Sequence, residues 1–161
     1  MSRRPEFKLS LPKWHEWSIY VCTAVLVLTG VAWLIAGSFG AVQGEFGQEP
    51  NPSLPWLLMV HGIGAYAFAI LAAMLVPVHI RLGWRASRNR LSGIAMVSVS
   101  LFLATSGLAL YYSTGEGFRS AVSLAHWVVG LGLALLLAVH IMRGKGSRPR
   151  RAKSQVSTSG G

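Results

Sequence analysis

The chain has 161 residues, 52% hydrophobic and 12% charged, with a formal net charge of +10 and a mean hydropathy of +0.48. A soluble domain carries about 25% charged residues, so this composition excludes an ordinary water-soluble enzyme and points to one membrane domain. The single cysteine, Cys22, excludes a disulfide framework within the chain.

Residues 1–13 form a polar, basic arm. Its SRRPEFK reads as a cytoplasmic flank rather than a twin-arginine export signal, because the apolar run that follows is long enough to span a membrane and no small-residue cleavage site follows it. The first apolar stretch runs from Trp17 to Ala36, with Trp14 and Trp17 placed as interfacial anchors. Residues 38–55, SFGAVQGEFGQEPNPSLP, read as a flexible loop carrying Glu45 and Glu49, on the side of the membrane that suits docking of a partner.

The second stretch, Leu54 to Ile80, has His61 near its start and His79 near its end, and Pro77 predicts a kink or an early helix end. The third, Leu91 to Tyr112, has no histidine; its Ser98, Ser100, Thr105 and Ser106 can bond their own backbone or a neighbouring helix. A short loop, STGEGFRSA, leads into the fourth, Val122 to Ile141, and the tail beyond is basic, then Ser/Gly-rich, and reads as disordered. Each stretch reaches the ~20 residues that cross a ~30 Å hydrocarbon core, and helices satisfy their own backbone in lipid. The expected fold is an all-α integral membrane four-helix bundle over residues 14–142, between the arm 1–13 and the tail 143–161.

The charge is asymmetric. Arg3, Arg4, Lys8 and Lys13 lie in the arm, Arg81, Arg85, Arg88 and Arg90 after the second stretch, and Arg143, Lys145, Arg148, Arg150, Arg151 and Lys153 in the tail, all on one side. Only Arg119 falls on the other. Basic loops stay in the cytoplasm, so both termini are expected there, with contact to anionic lipid. Nucleic-acid binding is a poor explanation of the excess.

No Walker loop, dinucleotide fingerprint or nucleophile triad is present, so the chemistry on offer is imidazole. Ionisable groups at membrane depth are costly and mark functional sites. His126 and His140 are fourteen residues apart, a rise of about 21 Å, and the second ring returns to within about 40° of the first. One helix thus offers two imidazoles on nearly one face, one near each side of a bilayer. Topology puts His61 at the depth of His126, and His140, His79 and His15 near the cytoplasmic boundary. A haem standing between helices takes an imidazole from each side at matching height: His61 with His126 at an outer site, and His140 with either His15 or His79 at an inner one.

The plain alternative is that such histidines are helix–helix hydrogen bonders, and His15 or His79 alone fits that well. Agreement of depth and face across His61, His126 and His140 favours ligation. A zinc site asks for three or four close ligands, often with Cys or carboxylate, and proton relays usually include Asp or Glu; the membrane stretches hold no carboxylate. Covalent c-type attachment is excluded, since no C-x-x-C-H occurs. Gly30, Gly62, Gly64, Gly93, Gly107, Gly130 and Gly132 permit close helix packing and also leave room for a flat macrocycle.

His15-Glu16-Trp17 followed by LVLTG resembles the first-helix H-W…TG pattern of membrane cytochrome b subunits. V-H-G-I-G-A-Y in the second stretch resembles their outer-haem motif, and A-H-W…V-H-I in the fourth is similar to their paired-histidine helix. The group is the bacterial di-haem cytochrome b family that includes the gamma subunit of formate dehydrogenase and the cytochrome b of nickel–iron hydrogenase, and the resemblance covers roughly residues 10–142. It implies two haem b groups, with iron held axially by His61 and His126 and by His15 and His140. His79 departs from the pattern; it shares a face with His61 and competes with His15, which is preferred.

The resemblance further implies residence in the bacterial cytoplasmic (inner) membrane. Electrons would pass between a periplasmic partner (a dehydrogenase- or hydrogenase-type, iron–sulfur or c-type cytochrome subunit) and membrane quinone, with protons drawn from the cytoplasm near the inner haem. Glu16, Arg81 and whichever of His15 and His79 is not a ligand are the candidate groups there. The chain has no domain for oxidising a substrate and so reads as a subunit. The alternatives are a free-standing haem oxidoreductase between quinone and superoxide or ferric iron, and a non-redox scaffold or transporter.

Overall fold

Apolar residues unbroken by proline carry the first helix, α1, from Lys13 to Phe39, with Pro12 opening it and Glu16 in its first turn, where a carboxylate suits the positive end of the helix dipole. α2 covers Leu54–Leu75, α3 Arg90–Tyr112 and α4 Glu116–Gly146. These four helices are each long and apolar enough to cross a membrane. The computed structural model describes residues 12–77, residue 84 and residues 90–146; His79 and Arg81 lie outside them.

Two expectations are corrected. Residues 38–55 do not form a plain loop: β1 (Val42–Gly44) and β2 (Gly47–Glu49) pair antiparallel, Val42 opposite Glu49 and Gly44 opposite Gly47. Gly47 closes the turn at φ +122°, a conformation that a side chain resists. The hairpin then runs into α2 through Asn51, whose Oδ1 accepts from Ser53 N at 2.9 Å and Ser53 Oγ at 2.7 Å.

The second correction is the loop before α4, which shrinks to residues 113–115. Glu116 occupies the first turn of α4, and Arg119 Nη1 donates back to Leu110 O at 2.8 Å and Ser113 O at 3.4 Å. This satisfies carbonyls that the end of α3 leaves without helical partners. At the other end of the molecule Pro77 acts as its chemistry requires. The α-helical part of α2 stops at Leu75, and Val76 and Pro77 lie in a wider π-type turn.

α1 packs along α2 and α3 along α4, and the main contact between these hairpins joins α1 to α4. Side chains fill little of the interior. Ile19 and Leu133 are the buried apolar residues among those described, whereas His15, Thr23, Ser92 and Ser106 are buried polar ones. Leu28, Trp56, Ile63, Leu101 and Leu135 face outward, the reverse of the pattern that water imposes.

Candidate functional site

Polar chemistry inside the bundle centres on histidines met by hydroxyls from the neighbouring helix. On α1, Thr29 reaches His61 of α2, Oγ1 to Nδ1 at 3.0 Å. On α3, Ser106 reaches His126 of α4, Oγ to Nδ1 at 2.8 Å. In each case the next residue is a glycine lying under the ring: a Cβ built on Gly30 would sit 3.5 Å from His61 Cε1, and one on Gly107 3.6 Å from His126 Cε1. Gly64 keeps α1 and α2 close, since a Cβ there would meet Val25 and Leu26 side chains at 3.4 Å.

These contacts bring His61 and His126 together across the two hairpins. Their ring centroids are 6.4 Å apart and their planes cross at 63°. The hydroxyls take Nδ1 of both rings, which leaves Nε2 as the other donor atom of each. Two imidazoles that share one metal from opposite sides, each at about 2.0–2.1 Å, hold their centroids about 6.3 Å apart. The observed spacing matches.

Two donors are too few for a tetrahedral structural zinc site, and among the described residues no group of three or more His, Cys, Asp or Glu comes together. A macrocycle brings four in-plane donors of its own and asks the protein for one or two axial ligands. The His61–His126 pair supplies that number of imidazoles. Compared with family models, curated proteins and solved structures, the chain matches none of them.

The other half of the α3–α4 hairpin repeats the motif once. Ser92 Oγ lies 2.9 Å from His140 Nδ1, and Ser92 is again followed by a glycine. Ser92 and Ser106 are fourteen residues apart, as are His126 and His140. The antiparallel α3 and α4 therefore make the same contact twice, in one register.

His15 behaves differently. It is 4% exposed, its ring lies 5.1 Å from that of Trp14, and its Nε2 is 3.1 Å from Leu71 O. A carbonyl only accepts, so Nε2 carries the proton and donates. That is the satisfied helix–helix bond expected of a structural histidine. Among the sequence candidates, then, His61 and His126 are brought together, His140 is held by Ser92, His15 is held by Leu71, and His79 lies outside the described residues. Thr29 and Ser92 were not singled out by their chemistry in the sequence; the signal that marks them is a hydroxyl–glycine dipeptide inside a helix, which occurs at Thr29-Gly30, Ser92-Gly93 and Ser106-Gly107.

Proposed function

We propose that the chain is a b-type cytochrome membrane subunit. In this reading two bis-histidine haems carry electrons between a periplasmic redox partner and the membrane quinone pool. The observation that carries it is the His61–His126 pair, 6.4 Å ring to ring with both Nδ1 atoms taken by hydroxyls. Haem, when bound, supplies one-electron redox chemistry. The work of the protein is to present imidazoles, hold them at one depth and keep water away.

Four apolar helices support a multi-pass membrane protein, and the one-sided basic residues support cytoplasmic termini; residence in the bacterial inner membrane rests on the resemblance to the di-haem cytochrome b family. The outer haem is assigned to His61 and His126. For the inner haem, His140 is one ligand. The Leu71 bond counts against His15 as the other, because ligation through Nε2 would surrender that bond, and so His79 becomes the stronger candidate.

Quinone turnover is placed at the cytoplasmic side, with Glu16 as a proton-handling group beside His15. Among the alternatives, a non-redox scaffold draws its support from the same His15–Leu71 bond, which needs no cofactor.

The test is a reduced-minus-oxidised absorption spectrum and haem stoichiometry of the full chain expressed with ample haem. Two haems per chain are expected, with one lost in His61→Ala and in His126→Ala, and the other lost in His140→Ala. Absence of b-type bands in the intact protein would remove the cytochrome reading. Retention of both haems in His79→Ala and in His15→Ala would remove the inner site as assigned.

A further inference from the structure

We propose that Thr29 and Ser106 are positioning residues that lock His61 and His126 as Nδ1–H imidazoles, so that each ring presents an Nε2 lone pair. This deepens the haem reading above and rests on it for its purpose, but the lock stands on a count of protons.

A hydroxyl has one proton to give. Thr29 Oγ1 lies 2.6 Å from Val25 O and 3.3 Å from Leu26 O, and carbonyls only accept, so its proton is spent on its own helix. The contact between Thr29 Oγ1 and His61 Nδ1 at 3.0 Å is then a bond donated by the imidazole. The same allocation is assigned to Ser106: with its Oγ proton on Leu103 O at 3.2 Å, the 2.8 Å contact to His126 Nδ1 is donated by the ring. On this allocation neither neutral ring holds a proton on Nε2.

The consequence is specific. Two Nε2 lone pairs on rings 6.4 Å apart cannot hydrogen-bond to one another; what suits them both is an electron-pair acceptor such as a metal centre, or a donor with two protons such as water. A proton relay would need each ring to exchange tautomers, and the hydroxyl contacts oppose that exchange. Donation from Nδ1–H also makes the imidazole a stronger ligand, which favours the higher oxidation state of a bound metal and lowers its potential.

The experiment uses the full chain with 15N-labelled histidine in detergent micelles, prepared without haem. Side-chain 15N shifts distinguish Nδ1–H from Nε2–H rings. The expected result is an Nδ1–H signal from each of His61 and His126, lost in His61→Ala and His126→Ala respectively. Thr29→Val should move the His61 signals towards mixed tautomers and leave His126 alone, Ser106→Ala should do the converse, and Thr29→Ser should restore the wild-type signal. In the haem-loaded protein, Thr29→Val and Ser106→Ala should raise the outer midpoint potential by about two- to fivefold in the ferric–ferrous equilibrium, roughly 20–40 mV at about 59 mV per tenfold.

A wild-type His61 or His126 in the Nε2–H form overturns the lock, and so do tautomers indifferent to the loss of both hydroxyls. Correct tautomers in a chain that takes up no haem would support the lock while removing the cytochrome reading.

Discussion

Ser106→Ala tests the α3–α4 contact most directly. The substitution removes one oxygen, so little packing is lost, and Leu103 O keeps its place in the helix. His126 Nδ1–H loses its acceptor. Interhelical side-chain bonds in membrane proteins average ~0.6 kcal/mol and reach ~1.7 kcal/mol. The Ser106–His126 bond belongs in the upper half of that range: at 2.8 Å it is short for an N–H···O bond, Ser106 is buried, and its hydroxyl passes the polarisation on to Leu103 O. A coupling of about 1–1.4 kcal/mol follows, roughly five- to tenfold in the folding equilibrium.

The assay is a double-mutant cycle of Ser106→Ala with His126→Ala, read from reversible unfolding of the full chain in mixed micelles by a denaturing detergent. Thr105→Ala is the control, since its hydroxyl donates to Leu101 O and Phe102 O on its own helix and is exposed; its effect should stay below about 0.5 kcal/mol. Single-mutant effects that add to within about 0.3 kcal/mol would refute a direct bond between Ser106 and His126.

Gly64→Ile should push α1 from α2, because even a Cβ already touches Val25 and Leu26 at 3.4 Å; overpacking costs about 1–3 kcal/mol, and crosslinking between cysteines introduced on α1 and α2 would report the separation. Arg119→Ala should destabilise the α3–α4 hairpin by about 0.5–1 kcal/mol through loss of its bonds to Leu110 O and Ser113 O, seen as faster amide exchange in residues 110–116. Gly47→Val should strain the β1–β2 turn by about 1–3 kcal/mol and speed exchange in residues 42–49, with helix content unchanged by circular dichroism. Glu16→Gln should slow quinone turnover with no loss of haem; turnover equal to wild type would remove Glu16 from the proposed proton route.

The four helices were legible because ~20 apolar residues in a row have few other uses, and Pro77 announced where α2 stops being α-helical. The start of α4 was not, because Glu116, Gly117 and Arg119 look like loop residues in isolation. Only the fold shows Arg119 reaching back to α3 and Glu116 sitting at a helix start. Likewise, three-residue strands among Gly and Pro leave no alternation to detect.

At the site, depth and face singled out His61, His126 and His140. Their hydroxyl partners were harder to see, since Ser and Thr in helices ordinarily bond their own backbone, as Thr29 and Ser106 also do. The spacing of fourteen that Ser92–Ser106 shares with His126–His140 was visible but has meaning only for antiparallel neighbours. The partner of His15 could not be read at all, because a backbone carbonyl such as that of Leu71 carries no signature of side-chain type.

The doubled contact between α3 and α4 makes the hairpin behave like a key with two teeth. Slipping either helix by one residue moves it about 1.5 Å along its axis and turns it about 100°, which disengages Ser106 from His126 and Ser92 from His140 in the same motion. No partial alignment saves one tooth. The connecting loop, residues 113–115, sets that alignment, so a single inserted residue there, harmless in most surface loops, would disturb both ends of the membrane domain at once.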